Sequence, residues 1–443
     1  MGHMWKTGAA VAVLMFAAEG LAAESAGITF GDVRPILARR CGGCHSRGEI
    51  GPMPLTTYAE VRPWAKAVRE AVATRQMPPW HAAPGTPHAF LNDRSMPKGE
   101  VDAVVRWVDA GSPDSTEPIP RSHAVVEPGG WKLGEPDLVL RVPGVKVPRD
   151  GVMQYTFVIF PLHIEKDTWI RAAEWHIDRR GQVHHMNAFV REPGSSYLAG
   201  FPANEIFVPT VAERGKKRAD EPVFARRQLL LGYEPGYAPM PWLEGGAKLI
   251  RAGSDIVFEM HYNPNGLEVV DHTELGLYFS AAAPGQRVIA VDTLRDLDLA
   301  IPPGAAAYKS EAAMKLGAAA KLLSIQPHMH VRGQSMVVRA VYPDGRKETL
   351  LDVPKYDFNW QTTYVLKEPL VLPAGTVLES VAHFDNSPNN KYNPDPKATV
   401  GWGDQTTSEM HIAFLELAVD AKANVEQLLT TQPKMIGEKQ AGR

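Results

Sequence analysis

The apolar periodicity of this chain changes once, and the change divides what it can fold into. Up to residue 113 apolar residues recur at helical spacing, whereas from residue 131 they fall in short β-type runs separated by turn residues. Three stretches carry the helical pattern. They are Phe30 to Arg40, Tyr58 to Arg75 with Val61, Trp64, Ala65, Val68 and Val72 on one side, and Lys98 to Ala110 with Val101, Val104, Val105 and Val108 apolar before Gly111. The strand-like runs include Asp137-Leu-Val-Leu-Arg-Val142, Tyr155-Thr-Phe-Val-Ile-Phe160 and Ile256-Val-Phe-Glu-Met-His261, and helical patterns are nearly absent from there to Ala421. A small all-α domain at 28–113 is therefore expected, then a Pro-rich polar linker at 114–130. The remaining β region is mainly strand and too long for one small sandwich. Two sandwiches, 131–284 and 285–425, are expected.

At the N-terminus, Lys6 precedes an apolar run from Ala9 to Ala18 and small residues up to Ala22-Ala23. This is the layout of a secretory signal peptide over 1–23, cleaved near Ala23, and the run is short for a membrane span. The mature chain is expected to be soluble, in the periplasm or secreted, with no stable membrane insertion. A net charge of −3 supplies no strong electrostatic pull toward nucleic acid.

Only two cysteines occur, and they lie together in Cys41-Gly-Gly-Cys44-His45. In an exported protein two cysteines can form a disulfide. The Cys-x-x-Cys-His order is also that of covalent c-type haem, with both thiols bonded to the haem edge and His45 on iron. Met77, in Gln76-Met77-Pro-Pro-Trp80, suits a sixth ligand because proline holds the loop extended. Met53, Met96, His81 and His88 compete for that place, and any of the methionines could instead pack against the haem edge. Residues 28–113 resemble the small class I cytochromes c, in which a Met-Pro loop gives the sixth ligand.

The β region carries a second kind of chemistry. His328 and His330 stand two apart in Ser324-Ile-Gln-Pro-His-Met-His-Val-Arg-Gly333. On a regular strand such residues share a face, where they could close on one metal ion or simply be solvated. His184 and His185 are adjacent, so on a regular strand they point opposite ways, and a bulge or a different ring nitrogen is needed before both can serve one ion. His261 precedes Tyr262, and Met410 lies in Ser408-Glu-Met-His411. A buried, hydrogen-bonded histidine is the plain alternative for His261, and core packing is the plain alternative for Met410. Imidazole and thioether suit copper; zinc would also accept three histidines but has little use for Met410. His176, His272, His383 and His411 lie near these clusters in sequence and are expected to be supporting or surface residues.

Residues 131–420 resemble the copper type II, ascorbate-dependent monooxygenases, the family of peptidylglycine α-hydroxylating monooxygenase and dopamine β-monooxygenase. The resemblance rests on His184-His185-Met186, His261-Tyr262, His328-x-His330 and Glu409-Met410, in that order along the chain. Gly232-Tyr-Glu-Pro-Gly236 and Ala300-Ile-Pro-Pro303 sit where the family has comparable segments. It implies two jelly-roll-like sandwiches with one copper each. His184, His185 and His261 would hold an electron-storing copper, and His328, His330 and Met410 an oxygen-binding one. Departures matter. The β region has no cysteine, whereas the animal enzymes are laced with disulfides. Gln326, Ile412 and Phe414 replace the Arg, Asn and Tyr of the peptide-amidating member, so a clamp for a peptide carboxylate is missing. The fused N-terminal cytochrome is the largest departure.

The function so implied is C–H hydroxylation of a small organic substrate by O₂, with two copper ions and one haem c. Electrons would come from a periplasmic donor or an ascorbate-like reductant, and a haem tethered by a short linker faces the copper region at high effective concentration. Two rivals differ in class: a non-catalytic electron-transfer or copper-binding protein, and a redox enzyme in which the haem itself is catalytic.

Overall fold

The computed structural model describes residues 27–115, 130–215, 227–237, 239–403 and 405–431. The expected leader at 1–23 and residues 116–129 of the expected linker lie outside the described residues. The chain is mainly β, with several sheets.

The helical pattern folds as spaced. Helices Phe30–Arg40, Tyr58–Val61, Ala65–Ala73 and Lys98–Asp109 pack Val33, Leu37, Val61, Val68, Val72, Val101 and Val104 into one core. Asp32 accepts the Thr29 N–H at 2.8 Å, and Glu60 accepts that of Thr57 at 3.1 Å, so two helix starts are closed by reciprocal side-chain bonds. One assignment fails. Trp64 was expected on the buried face but is 46% exposed. The turn Arg62–Trp64 is 3₁₀, and its three residues per turn rotate that side chain away. Trp107 fills the core instead, and its indole N–H donates to the Pro113 carbonyl at 3.0 Å.

Beyond residue 130, one eight-stranded sheet spans both expected sandwiches. From edge to edge it runs Leu138–Arg141, Glu274–Phe279, Thr168–His176, Gly246–Ile250, Gln286–Arg295, Ile412–Asp420, Ala320–His328 and Tyr364–Leu372. Its first four strands come from before residue 284 and its last four from after it. The halves join where Gly246–Ile250 pairs parallel to Gln286–Arg295, through Gln286 opposite Gly246 and Arg287 opposite Ala247. Each half then has its own second layer. A four-stranded sheet (Thr156–Pro161, Asp255–Tyr262, Val183–Arg191, Gln228–Tyr233) covers the first. A five-stranded sheet (Lys347–Val353, Gly333–Val341, Val377–Phe384, Tyr308–Leu316, Leu429–Thr431) covers the second, so this layer continues past residue 425. Separate apolar cores lie between the layers, one around Trp175, Phe258 and Met260 and the other around Leu322, Met336 and Leu417.

The helical domain is stitched to the second half by the segment between its last two helices. The Ala83 N–H donates to the Asp352 carbonyl at 2.8 Å, Leu91 N–H to Val365 and Lys367 N–H to Ala89, each also at 2.8 Å. Trp80 and Phe90 pack against Tyr364 with ring centroids 4.8 and 5.4 Å away. On the other side Arg94 donates to the Gly236 carbonyl at 2.7 Å, in the first half.

The junction between halves is clipped by Lys248, only 1% exposed, whose ammonium donates to Glu416 at 2.6 Å and to the Leu230 carbonyl at 2.7 Å and lies over the Trp242 ring. Removing one partner of a buried pair strands the other. Lys248→Ala should therefore lower unfolding stability by about 3 kcal/mol, while Lys248→Met with Glu416→Leu should cost clearly less. Denaturant unfolding of the three proteins checks this, and equal midpoints would contradict it.

Candidate metal centres

The first centre is built on a strand irregularity. Val183–Arg191 pairs antiparallel with Asp255–Tyr262, with Val183 opposite Tyr262 and His185 opposite His261. The register shifts between Val183 and His185, so His184 occupies a bulge and its ring is carried round to the side of its neighbour. The condition set by adjacency in the sequence is met. His184 Nδ1 and His185 Nδ1 stand 3.1 Å apart, and one ligand atom from each of His184, His185 and His261 lies within 4.8 Å of the others. The three ring centroids are 4.9 to 5.3 Å apart.

Electrostatics keeps these rings neutral, the form that binds a cation. Burial pushes the pKa of His184 down, and that of His185 well down with help from His261, His184 and His328. Burial, then His184, lowers that of His261 to about 4. His261 Nδ1 is buried without a hydrogen-bond partner, and two imidazole nitrogens face each other at contact distance. Both are conditions that a shared metal ion relieves, so the donor set fits one. Tyr155, opposite His261 by extension of the strand register, stacks on its ring at 4.6 Å and 11°. The Tyr262 hydroxyl donates to the buried Asp271 carboxylate at 2.8 Å, which anchors the strand end beside His261.

At the second centre the expected geometry needs correction. The strand ends at His328, so His330 does not share a strand face with it and lies in the following turn. The reason is Glu409. Its carboxylate accepts the N–H groups of His330 and Arg332, both at 2.7 Å, and of Met410 at 3.3 Å, which removes those donors from the sheet ladder. The rings nevertheless converge, with centroids 5.2 Å apart and planes at 89°. His328 Nδ1 is 2.5 Å from Gln361 Oε1, and His330 Nδ1 is 3.1 Å from the Ser408 carbonyl. An oxygen acceptor fixes the proton on Nδ1, so the lone pair of each ring sits on Nε2. His328 pairs opposite Ile412, and His330 is tied to Ser408 and Glu409, the two residues before Met410. Burial, then His330, pushes the His328 pKa down to about 3. Protonation of His328 would also disfavour that of His185, so the two centres lie within electrostatic reach of each other.

The Cys-x-x-Cys-His segment follows the first helix directly, and both cysteines are free thiols. Burial and the neighbouring Cys44 push the Cys41 thiol up to about 12. His45 Nδ1 lies 3.0 Å from the Met53 carbonyl, which leaves Nε2 as the donor an iron would take. A Cβ on Gly51 would come within 2.7 Å of the His45 ring, so the loop is folded closely against it. These features fit a haem c. The loop also lies against the segment that leads into the first centre: Gly48 and Glu49 carbonyls lie 3.7 Å from the Cβ position of Gly181, three residues before His184, and Arg180 pairs with Glu49 at 3.7 Å.

Met77 is half-buried just past the third helix, at the start of the stitching segment. Of its competitors, Met96 is in the helical core and Met53 holds His45 through its carbonyl. His88 lies 3.0 Å from Glu348 in the second half, and His81 lies among groups of that half, its pKa lowered by burial. The remaining histidines are placed elsewhere. His411 is fully buried with Ser310 and Ser380 at 2.8 Å on its two nitrogens. His176 faces Glu274, His272 the Val142 carbonyl and His383 Ser335. The contacts of Tyr155, Gln361 and Glu409 at these sites are not legible in the sequence, since each crosses the fold and no local spacing encodes it.

No protein-family model matches the chain, and no curated protein does. Among solved structures, infectious bursal virus derived T=1 particles share 9% identity over 68% of this chain and 75% of that chain, with a TM-score of 0.18. Allantoicase shares 12% over 55% and 80%, with a TM-score of 0.17. Superposition this poor carries no argument about fold or function.

Because the folded pKa of His261 lies below the unfolded value of 6.5, the unfolded chain takes up protons first on acidification. Stability present above 6.5 is therefore lost as pH falls toward about 4. Metal-free protein should unfold at lower urea at about pH 5 than at about pH 7, and His261→Leu should shrink the difference. An unchanged difference in that variant would remove His261 as its cause.

Proposed function

We propose that this chain is an exported monooxygenase that hydroxylates a C–H bond of a small organic substrate with O₂, using two copper ions and one haem c. In this reading each β half is a jelly-roll-like copper domain and residues 28–113 are a class I-like cytochrome c. The observation that carries it is the convergence of His184, His185 and His261 across a bulge, within electrostatic reach of the paired rings of His328 and His330. The ordered motifs that resemble the copper type II, ascorbate-dependent monooxygenases support it.

His184, His185 and His261 would hold the first copper, His328, His330 and Met410 the second, and Cys41, Cys44 and His45 the haem, with Met77 as sixth ligand. Copper bound there supplies O₂ activation and one-electron storage, and haem supplies electron entry from a periplasmic donor or an ascorbate-like reductant. The chain's own part is positional. Glu409 locks His330 to Met410, Gln361 orients His328, and burial keeps the imidazoles unprotonated at neutral pH. At Gln326, Ile412 and Phe414 no cation is offered to a peptide carboxylate, which argues against peptide amidation.

The deciding experiment is O₂ uptake by copper-loaded, haem-matured protein against a panel of exported metabolites, with ¹⁸O₂ traced into product. Two coppers per chain are expected by elemental analysis, and zinc should not support activity. One copper, or zinc-supported turnover, would contradict the proposal.

His328→Ala and Met410→Ala should each abolish turnover and leave the haem spectrum intact, because the Cys-x-x-Cys-His segment follows the first helix and Cys41 packs against the helical core. Retained activity in both variants would refute the assignment. Replacing Cys41 and Cys44 with Ala should remove the haem, leave copper in place, and stop turnover with a cytochrome-reducing donor while sparing turnover with ascorbate. Equal rates for this variant and the parent with every donor would make the haem a passenger.

A further inference from the structure

Glu234 belongs to the first half but reaches the second. Its carboxylate oxygen accepts a hydrogen bond from the Gln326 side-chain amide. The same amide nitrogen donates to the Gln361 backbone carbonyl at 2.9 Å, and the Gln361 side-chain oxygen is the 2.5 Å partner of His328 Nδ1. Three residues from three separate strands or loops thus form one line that ends on the imidazole. From the helical domain, Arg94 lies against Gly236 and acts on the Glu234 carboxyl as its nearest opposite charge. Glu234 keeps a solvent-facing edge, yet it is packed where all three parts of the molecule meet.

Each link has a definite polarity. Gln326 can give two N–H bonds, and both recipients, the Glu234 oxygen and the Gln361 carbonyl, only need to accept. Fixing the Gln361 backbone by this bond fixes where its side chain can start, and the side-chain oxygen then sets both the tautomer and the plane of His328. Partners of this outer kind typically change metal affinity by about 10–100-fold when lost.

We propose that Glu234 is a positioning residue for His328, acting through Gln326 and Gln361 to set the orientation of that ring from the other half of the molecule. The inference rests on the assignment of His328 as a copper ligand. It adds a cross-domain requirement: the second centre is complete only when the first half, through Glu234, is in place.

The test uses the full chain with His184 and His185 replaced by Ala, so that copper bound at the second centre is read alone. In this background Glu234→Ala should weaken copper binding by about 10-fold and alter the copper EPR spectrum. Glu234→Gln keeps an oxygen acceptor and should restore both toward the parent. Gln361→Ala should reproduce the Glu234→Ala spectrum, which keeps the test usable if Glu234→Ala folds poorly, with covalent haem content and thermal midpoint as controls. Unchanged affinity and spectrum in Glu234→Ala and Gln361→Ala would overturn the inference, as would a Glu234→Gln protein no better than Glu234→Ala. Copper binding that survives His328→Ala undiminished would instead overturn the ligand assignment, so the two failures are distinguishable.

Discussion

The structure depends on the two residue pairs that join its halves. The parallel contact of Gly246 and Ala247 with Gln286 and Arg287 makes one sheet out of strands from both layered cores and so helps to fix the relation of the two histidine clusters. So short a ladder is weak by itself, and the buried Lys248 ammonium strengthens it. Sealed under Trp242 and satisfied by two carbonyls and the Glu416 carboxylate, it ties a strand of the first half to a strand of the second. A buried charge tolerates few arrangements, because any slip leaves it desolvated and unpaired. The same chemistry that makes the pair costly to bury makes the junction specific.

Much of this could be read from the sequence, and the parts that could not share a cause. The change from helical to strand periodicity located the helical core and the β region, because burial of Val33, Leu37, Val68 or Val104 is dictated by neighbours a few residues away. Trp64 and Trp107 exchange roles because a single 3₁₀ turn shifts the phase, which apolar spacing alone does not reveal. At the sites, residue identity was readable and geometry only partly so. Adjacency of His184 and His185 called for a bulge or a different ring nitrogen, and a bulge is there. The pair at His328 and His330 invited a strand reading, which Glu409 defeats by capturing the donors that would have continued the ladder. A carboxylate acting on residues 77 and 79 positions earlier leaves no periodic trace. Nor does the Glu234 contact with Gln326, which crosses from one half to the other.

Sequence also kept the two sandwiches apart in concept, because a chain is read along its length and a sheet is assembled across it. The eight-stranded sheet places Ile412–Asp420 between Gln286–Arg295 and Ala320–His328, so residues far apart in order become the structural centre. That arrangement brings Ser408 and Glu409, late in the chain, onto the turn that carries His330. With no cysteine in the β region, main-chain pairing and close packing carry a burden that disulfides would otherwise share.

The segment from Trp80 to Asn92 also bears on the edges of the sheets. Tyr364–Leu372 is the last strand of the large sheet and Lys347–Val353 the last of the five-stranded one, and both edges lie on the side that this segment crosses. Unpaired strand edges are templates for association with other chains, and proteins blunt them by covering them. Here Ala89, Leu91 and Asn92 take up backbone groups of residues 363–367, and Trp80 and Phe90 shield Tyr364. The segment between the last two helices therefore covers part of both edges. A chain cut back to its β region would bare those backbone groups, the kind of edge on which other chains can pair.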